Sequence, residues 1–129
     1  MLLDQPQKLA GISGAICIAF GAFGAHFLKN KIPIEALNIF ETGVKYQMYH
    51  TLALLFITVI TSKSNIYNSI QYATFFFSLG ILLFSGSLYF LSIRSLIGME
   101  NTNWPGIITP IGGLCFILGW IYLAINTIF

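Results

Sequence analysis

Leu9 to Leu28 reads LAGISGAICIAFGAFGAHFL, and no charged side chain interrupts it. A helix needs about 20 apolar residues to cross the roughly 30 Å of hydrocarbon in a bilayer, and this stretch meets that length. Three more apolar runs follow, at about residues 46–61, 70–93 and 107–129. They lack the alternation of polar and apolar residues that is typical of membrane-barrel strands, so helices are predicted. The sequence therefore predicts an all-α integral membrane protein, a bundle of four transmembrane helices that fills residues 1–129 as a single domain.

The composition of the chain argues against a soluble globule. Hydrophobic residues make up 57% of the 129 residues and charged residues only 8%, whereas about 25% charged residues is usual for a soluble domain. The lipid bilayer is therefore the expected partner of the apolar surface. The net charge is +2 and the basic residues are scattered, so no nucleic-acid partner is expected.

The stretch from Ile34 to Val44 differs from the apolar runs because Glu35, Asn38 and Glu41 stand between apolar residues at helical spacing. This pattern predicts a short interfacial helical segment before the second span. A single helix over residues 33–61 would be about 43 Å long, longer than the hydrocarbon core. We therefore expect it either to protrude or to bend, with residue 43, a glycine, as the weakest point.

Small residues in the first and fourth predicted helices recur at spacings of three and four, which places them on one face of each helix. In lipid, helix packing depends on the close contact of such residues, because lipid removes the hydrophobic drive for association. The predicted packing residues are Ala10, Gly14, Cys17, Gly21 and Gly24 in the first helix and Gly112, Cys115 and Gly119 in the fourth.

The basic residues predict the orientation of the chain. With four spans, Lys29, Lys31, Lys45 and Arg94 lie on one side of the membrane, and only Lys8 and Lys63 lie on the other. Because positive charge is enriched in cytoplasmic loops, the first and third loops are expected in the cytoplasm and both termini outside.

The same topology gathers polar side chains at the cytoplasmic face, and ionisable residues at membrane depth are functional candidates by default. Simpler readings remain open for several of them: residues 41 and 45 have the spacing of a helix ion pair, and the tyrosines suit a membrane interface. The candidate polar cluster contains His26, Glu41, Thr42, Lys45, Tyr46, Tyr49, His50, Ser85, Tyr89 and Arg94.

His50 gives the sharpest of these predictions. It lies about one helical turn beyond Tyr46, inside an apolar run, where a neutral imidazole needs one acceptor and one donor as partners. We expect it to face the interior of the bundle and to hydrogen-bond Tyr89, Ser85 or His26, which lie at matching depth.

Catalytic and cofactor motifs are sparse in the sequence. His26 and His50 lie on the same membrane side, which permits haem ligation, but no supporting pattern accompanies them. The serines do not form a Gly-x-Ser-x-Gly elbow, and no acidic partner lies in the spans. We therefore expect no enzyme activity, no cofactor and no metal site.

Four sequence words carry a family resemblance: GAFGAHFL at residues 21–28, FETGVKYQMYHTLAL at 40–54, LFSGSLY at 83–89, and TPIGGL with GW at 109–114 and 119–120. In this order they resemble the small bacterial membrane proteins of the YgdD/YwdK type, a family of unknown function, to which eukaryotic transmembrane protein 256 is similar. The resemblance implies four helices in a bacterial inner (plasma) membrane and supplies no reaction.

Two functions are consistent with the sequence. The favoured hypothesis is a structural or interaction protein, or an accessory subunit of a membrane complex, that binds other membrane proteins or itself. The alternative is a transporter or channel for a small solute, proton or lipid-like molecule, which would use the polar cluster at the cytoplasmic face.

Overall fold

A computed structural model describes residues 5–62 and 67–126 of the chain. The described residues are helical and contain no strand, so the all-helical prediction is confirmed for them. A 3-10 turn, Leu28–Asn30, follows the first helix, and a π-helical segment, Ile81–Ser85, joins α3 to α4 in one continuous run. The α-helices are α1 (Pro6–His26), α2 (Ile34–Ser62), α3 (Tyr67–Gly80), α4 (Gly86–Ile93) and α5 (Pro105–Asn126).

Three helical runs within the described residues are long and apolar enough to cross a membrane: Pro6–Asn30, Ile70–Ile93 and Pro105–Asn126. They coincide with the first, third and fourth apolar runs of the sequence. α2 is not among them, although it has 29 residues. Residues 34–50 of this helix include two glutamates, a lysine, a glutamine and a histidine, which lower its mean hydropathy.

The interfacial segment predicted before the second span is not a separate element. α2 runs without a break from Ile34 to Ser62, so residues 34–44 form its first turns. α4 packs closely against α2 at Gly43, where a Cβ would lie 2.9 Å from the Tyr89 ring. The Ser85 hydroxyl also donates a hydrogen bond to the Gly43 carbonyl, at 2.7 Å. At 1.5 Å per residue, α2 is about 43 Å long.

α2 occupies the centre of the arrangement. α1 packs along one side of it, the α3–α4 run packs along another, and α5 packs mainly on α3 and the π-helical segment. The main hydrophobic core joins α2, α3 and α5 around Leu54, Phe77 and Phe116, and a smaller core around Leu28 and Phe40 lies where α1 turns into α2. The helices therefore neighbour one another in chain order.

The small-residue stripe of α1 faces α2. Cys17 is buried and its thiol donates to the Val44 carbonyl, with 3.2 Å between sulfur and oxygen. A Cβ at Gly14 would touch Thr51 at 3.6 Å, and one at Gly24 would approach the Phe40 ring at 2.9 Å. Ala10, one turn before Gly14, belongs to the main core, and Gly21 lies against Val44.

The small residues of α5 face the α3–α4 run. A Cβ at Gly112 would overlap the backbone nitrogen of Phe84, and one at Gly119 would overlap the Phe77 ring. Cys115, between the two glycines, is buried. Since Phe84 belongs to the π-helical segment, Gly112 of α5 approaches its neighbour at the point where the regular hydrogen-bond ladder of that helix changes.

Candidate functional site

Gln47 is the centre of a hydrogen-bond network inside the membrane-embedded bundle. It is only 3% exposed. Its Nε2 donates to the Ser13 carbonyl at 3.0 Å and approaches the Ser13 hydroxyl at 3.3 Å, and its Oε1 accepts a hydrogen bond from the Tyr89 hydroxyl at 2.6 Å. One side chain of α2 is therefore bonded to both α1 and α4.

Thr51 of α2 also belongs to this network, because it contacts both Gln47 and Ser13. The Thr51 hydroxyl donates to the Gln47 carbonyl one turn earlier, at 2.7 Å. The Ser13 and Thr51 hydroxyl oxygens are also 2.7 Å apart. Because the Thr51 hydrogen is already used, Ser13 is the donor of that bond. We call Ser13, Gln47, Thr51 and Tyr89 the Gln47 network.

His50 forms a second polar contact, between α2 and α5. Its Nδ1 lies 2.8 Å from the Tyr46 carbonyl, and the Trp120 indole donates to its Nε2 at 3.2 Å. Since an indole N–H can only donate, Nε2 is the acceptor and Nδ1 carries the proton. The imidazole also stacks on Phe116, with 3.5 Å between ring centroids and 7° between planes.

The prediction for His50 is confirmed in its location and wrong in its partners. The side chain is buried, but it bonds Trp120 and its own helix rather than Tyr89, Ser85 or His26. Three helical steps separate Gln47 from His50, so their side chains point about 60° apart around α2. Gln47 thus meets α1 and α4, while His50 meets α5. Ser85 bonds the Gly43 carbonyl instead, and His26 is exposed at the end of α1.

The other members of the predicted cluster are dispersed. Thr42 bonds the Asn38 carbonyl of its own helix. Tyr46 and Tyr49 are 40% and 56% exposed, with their rings in contact, and the Tyr46 ring also packs on Phe84. Arg94 donates from one nitrogen to the Thr102 carbonyl at 2.8 Å and the Asn103 side chain at 2.7 Å, which fixes the third loop.

Glu41 and Lys45 are both exposed on α2. Within the part of the chain that the structure describes, no ion pair joins them. They instead line a cleft of about 130 Å³ between α1 and α2, together with Gly21 and Gly24. Their role as a helix ion pair, one reading of their spacing, is therefore not what this structure displays.

Two larger grooves open on the outside of the bundle. The first, of about 330 Å³, lies between α1 and the α3–α4 run, and Gln47 and Tyr89 are among its lining residues. The second, of about 580 Å³, lies between α2 and α5 and is lined by His50, Tyr46 and Trp120 among mostly apolar residues. We call them the α1–α4 groove and the α2–α5 groove.

Sequence reasoning missed the residues that complete both polar contacts: Ser13, Gln47, Thr51 and Trp120. The prediction was based mainly on ionisable residues, whereas these four side chains are neutral. A usable signal was nevertheless present, because an amide within a largely apolar helix must find partners when it is buried. Gln47 also stands within the second of the family words.

Comparison with known proteins identifies the family. The family model described as "Protein of unknown function (DUF423)" matches residues 20–113. The chain belongs to this family. The resemblance noted from the sequence words is therefore confirmed. No solved structure matches the chain.

The DUF423 relatives cover nearly the whole chain. The "UPF0382 membrane protein YwdK" of Bacillus subtilis is 38% identical over 120 residues, which are 93% of this chain and 93% of the relative. A UPF0382 membrane protein of Staphylococcus haemolyticus is 42% identical over 125 residues, 94% of this chain and 96% of the relative. The "UPF0382 inner membrane protein YgdD" of Escherichia coli is 38% identical over 119 residues, 92% and 86% of the two chains. This family and the apolar helices together make the chain a membrane protein in contact with the lipid bilayer.

Proposed function

We propose that this DUF423 chain is a non-enzymatic structural protein of the bacterial inner membrane, which spans the bilayer four times and assembles with other membrane proteins as a scaffold or accessory subunit. The observation that carries the proposal is the Gln47 network. Its side chains are bonded across three helices, so polarity within the bundle is used to hold helices together.

The fourth span in this proposal is α2. Its neighbours α1 and the α3–α4 run are both apolar enough to cross, and α2 packs between them. Of the polar residues that lower its mean hydropathy, Gln47, His50 and Thr51 are buried in the bundle, whereas Glu35, Glu41 and Lys45 in its first turns are exposed. From Leu52 onwards its exposed residues are apolar, as a lipid-facing surface requires; these are Leu52, Leu55, Phe56 and Val59.

The orientation in this proposal follows the positive charges, with the first and third loops in the cytoplasm and both termini outside. The two loops carry Lys29, Lys31 and Arg94, and the cytoplasmic end of α2 carries Lys45. The name of the Escherichia coli relative, an inner membrane protein, supports the choice of membrane.

The alternative, a transporter or channel, has less support. It required the polar cluster to line a cavity open to the cytoplasmic face. His50 is instead stacked on Phe116 and bonded to Trp120, and Tyr89 is bonded to Gln47. Each of these two side chains lines a groove, but each is already bonded to a neutral side chain of a neighbouring helix and not to another member of the predicted cluster.

Photocrosslinking in native membranes tests the proposed assembly. A photoreactive residue replaces Leu82 in the α1–α4 groove, Leu114 in the α2–α5 groove, or the lipid-facing Ile18 outside both grooves. The chain is expressed at its native level and purified in a mild detergent. We expect a stoichiometric co-purifying membrane protein and a crosslink to it from at least one of these positions.

Each alternative outcome has a clear meaning. A chain that purifies as a lone monomer and crosslinks only to lipid from all three positions would contradict the proposal. A crosslink from one groove and not from Ile18 would support it and identify the docking face. Crosslinks between two copies of the chain would identify the partner as the chain itself.

A further inference from the structure

The cleft between α1 and α2 that contains Glu41 and Lys45 combines a small apolar space with two opposite charges. Its volume is about 130 Å³, and it is lined by Gly21 and Gly24 of α1 and by residues 40, 41, 44 and 45 of α2. It is separate from the two larger grooves and from the Gln47 network.

Glycine creates the space. A Cβ at Gly21 would lie 3.6 Å from Val44, which is an ordinary contact distance. Because glycine has no Cβ, this space between α1 and α2 stays open. At Gly24 the Phe40 ring already occupies the place of a side chain and forms the end of the cleft. The floor is therefore apolar, and the polar atoms come from the two charged side chains.

The two charges are ordered along the membrane normal. Glu41 and Lys45 are one turn apart on the same side of α2, and both are exposed. Residue 45 lies about 6 Å further along the helix, and in the proposed crossing α2 enters the bilayer from its N-terminal end. The cation is therefore deeper in the membrane and the carboxylate is nearer to water.

A phospholipid with a primary amine on its headgroup has the complementary order. Its phosphate is attached to glycerol and lies deeper, while its ammonium group extends towards water. We propose that the α1–α2 cleft binds the headgroup of such a zwitterionic lipid, of the phosphatidylethanolamine class, with the phosphate on Lys45 and the ammonium on Glu41. This proposal rests on the proposed crossing of α2, but not on the assembly with other proteins.

Other bilayer lipids fit the charge pattern less well. An anionic headgroup would gain the contact with Lys45 but would bring negative charge close to Glu41. A choline headgroup has the correct charges, but its quaternary ammonium has no N–H to donate to the carboxylate. A primary ammonium donates charge-assisted hydrogen bonds, which are the stronger kind.

Lipid retention measures this selectivity directly. The full chain is reconstituted into nanodiscs that contain phosphatidylethanolamine, phosphatidylglycerol and phosphatidylcholine in equal amounts, and is then released in mild detergent. Native mass spectrometry counts the lipids that stay bound. We expect the wild type to retain phosphatidylethanolamine, and Glu41→Gln and Lys45→Gln each to reduce that retention about tenfold, since the loss of one charge-assisted contact is on that scale.

Matched variants separate the cleft from surface charge in general. Glu35→Gln and Lys29→Gln remove exposed charges near the same membrane face, outside the cleft, and are expected to leave retention unchanged. Gly21→Ala adds one methyl group that the helix packing tolerates, and it should weaken retention by filling the cleft. Glu41→Gln should also raise the share of bound phosphatidylglycerol, because a repulsive charge is gone.

The wild type alone provides a second test that needs no variant. Stepwise N-methylation of the phosphatidylethanolamine amine should lower its retention progressively. The proposal is overturned if methylation has no effect, if Glu35→Gln matches Glu41→Gln, or if phosphatidylglycerol is preferred whatever stands at residue 41. None of these outcomes would affect the crosslinking test of protein assembly.

Discussion

Gln47 shows how a single amide can define the packing of three helices. It donates to α1 and accepts from α4 while it lies on α2. Interhelical hydrogen bonds in membranes contribute about 0.6 kcal/mol on average. Their larger effect is to fix the rotation of α2 about its own axis, because Tyr89 and Ser13 lose their partners when α2 rotates.

Replacing Gln47 with leucine removes the centre of that network. We expect Gln47→Leu to destabilise the folded bundle by about 1–2 kcal/mol, since both the Tyr89 hydroxyl and the Ser13 groups lose a partner. Unfolding in mixed micelles of mild detergent and SDS measures the change. The control is Thr42→Val on the same helix, whose hydroxyl bonds only its own helix. Equal effects of the two substitutions would show that the network adds nothing beyond local helix stability.

His50 and Trp120 are suited to a double-mutant cycle. We expect His50→Leu and Trp120→Phe each to destabilise the bundle by about 1 kcal/mol and to be non-additive by roughly 0.5–1 kcal/mol, because either change removes the one hydrogen bond they share. The free energy of unfolding of the two single variants and the double variant gives the coupling. Full additivity would mean that the 3.2 Å contact between the indole and the imidazole contributes no energy.

At the residue scale, the sequence predicted where His50 lies but not which residue it bonds. The burial of His50 followed from its position in an apolar run. Its partner did not, because the choice among α1, α4 and α5 depends on a 60° difference in direction around α2. The Tyr89 hydroxyl donates to Gln47 instead of bonding His50. This choice of partner is visible only once the helices are packed.

At the scale of the helical element, α5 and the π-helical segment approach each other closely at Gly112 and Phe84. A methyl group at Gly112 would overlap the Phe84 backbone, which cannot move aside as a side chain could. Residue 113 is also glycine, but a Cβ there would meet the Phe84 ring at an ordinary 3.7 Å. A side chain therefore fits at Gly113 but not at Gly112, although the two glycines are neighbours in one helix.

This difference predicts opposite outcomes for two small substitutions. Gly112→Ala should destabilise the bundle by about 1–3 kcal/mol through overpacking. Gly113→Ala should be neutral or slightly stabilising, since alanine favours the helix over glycine. Thermal unfolding in detergent compares the two variants, followed by fluorescence without a thiol-reactive dye. A tolerated Gly112→Ala with unchanged stability would show that α5 can move away from Phe84 at no cost.

The elements also show which features the hydrophobic pattern can predict. The four apolar runs locate the described helices, because each run must satisfy its own backbone hydrogen bonds in lipid. The pattern failed at residues 34–44, where charged residues suggested a separate interfacial helix. That segment is continuous with the rest of α2, and Gly43 within it contacts Tyr89 and Ser85, which the sequence pattern does not show.

On the scale of the whole molecule, labelling of single cysteines tests the proposed orientation. Cysteine is introduced at Lys31 in the first loop, at Met99 in the third, or at Gln7 near the start of α1, all of which are exposed. We expect an impermeant maleimide to label residue 7 in intact cells, and residues 31 and 99 only after the membrane is opened. The native thiols are both buried, which keeps the background low.

The reverse labelling pattern would invert the orientation and leave the four-span count in place. Labelling of residues 7 and 31 from the same side would contradict the crossing of α1. A cysteine close to the end of α2, at Thr61, adds the test for α2: it should react from the side of residue 7. Reaction from the side of residue 31 would rule out the fourth span.

The buried polar face of α2 has a consequence for how the chain enters the membrane. Presented alone to lipid, α2 would expose the Gln47 amide without a partner, whereas the Thr51 hydroxyl bonds its own helix. Ser13 of α1 accepts a hydrogen bond from the Gln47 amide and donates one to Thr51, and a short connection joins the two helices. With α2 crossing the bilayer as proposed, we expect α1 and α2 to leave the translocation channel together as one helical hairpin, because α1 supplies the partner that the Gln47 amide lacks in lipid.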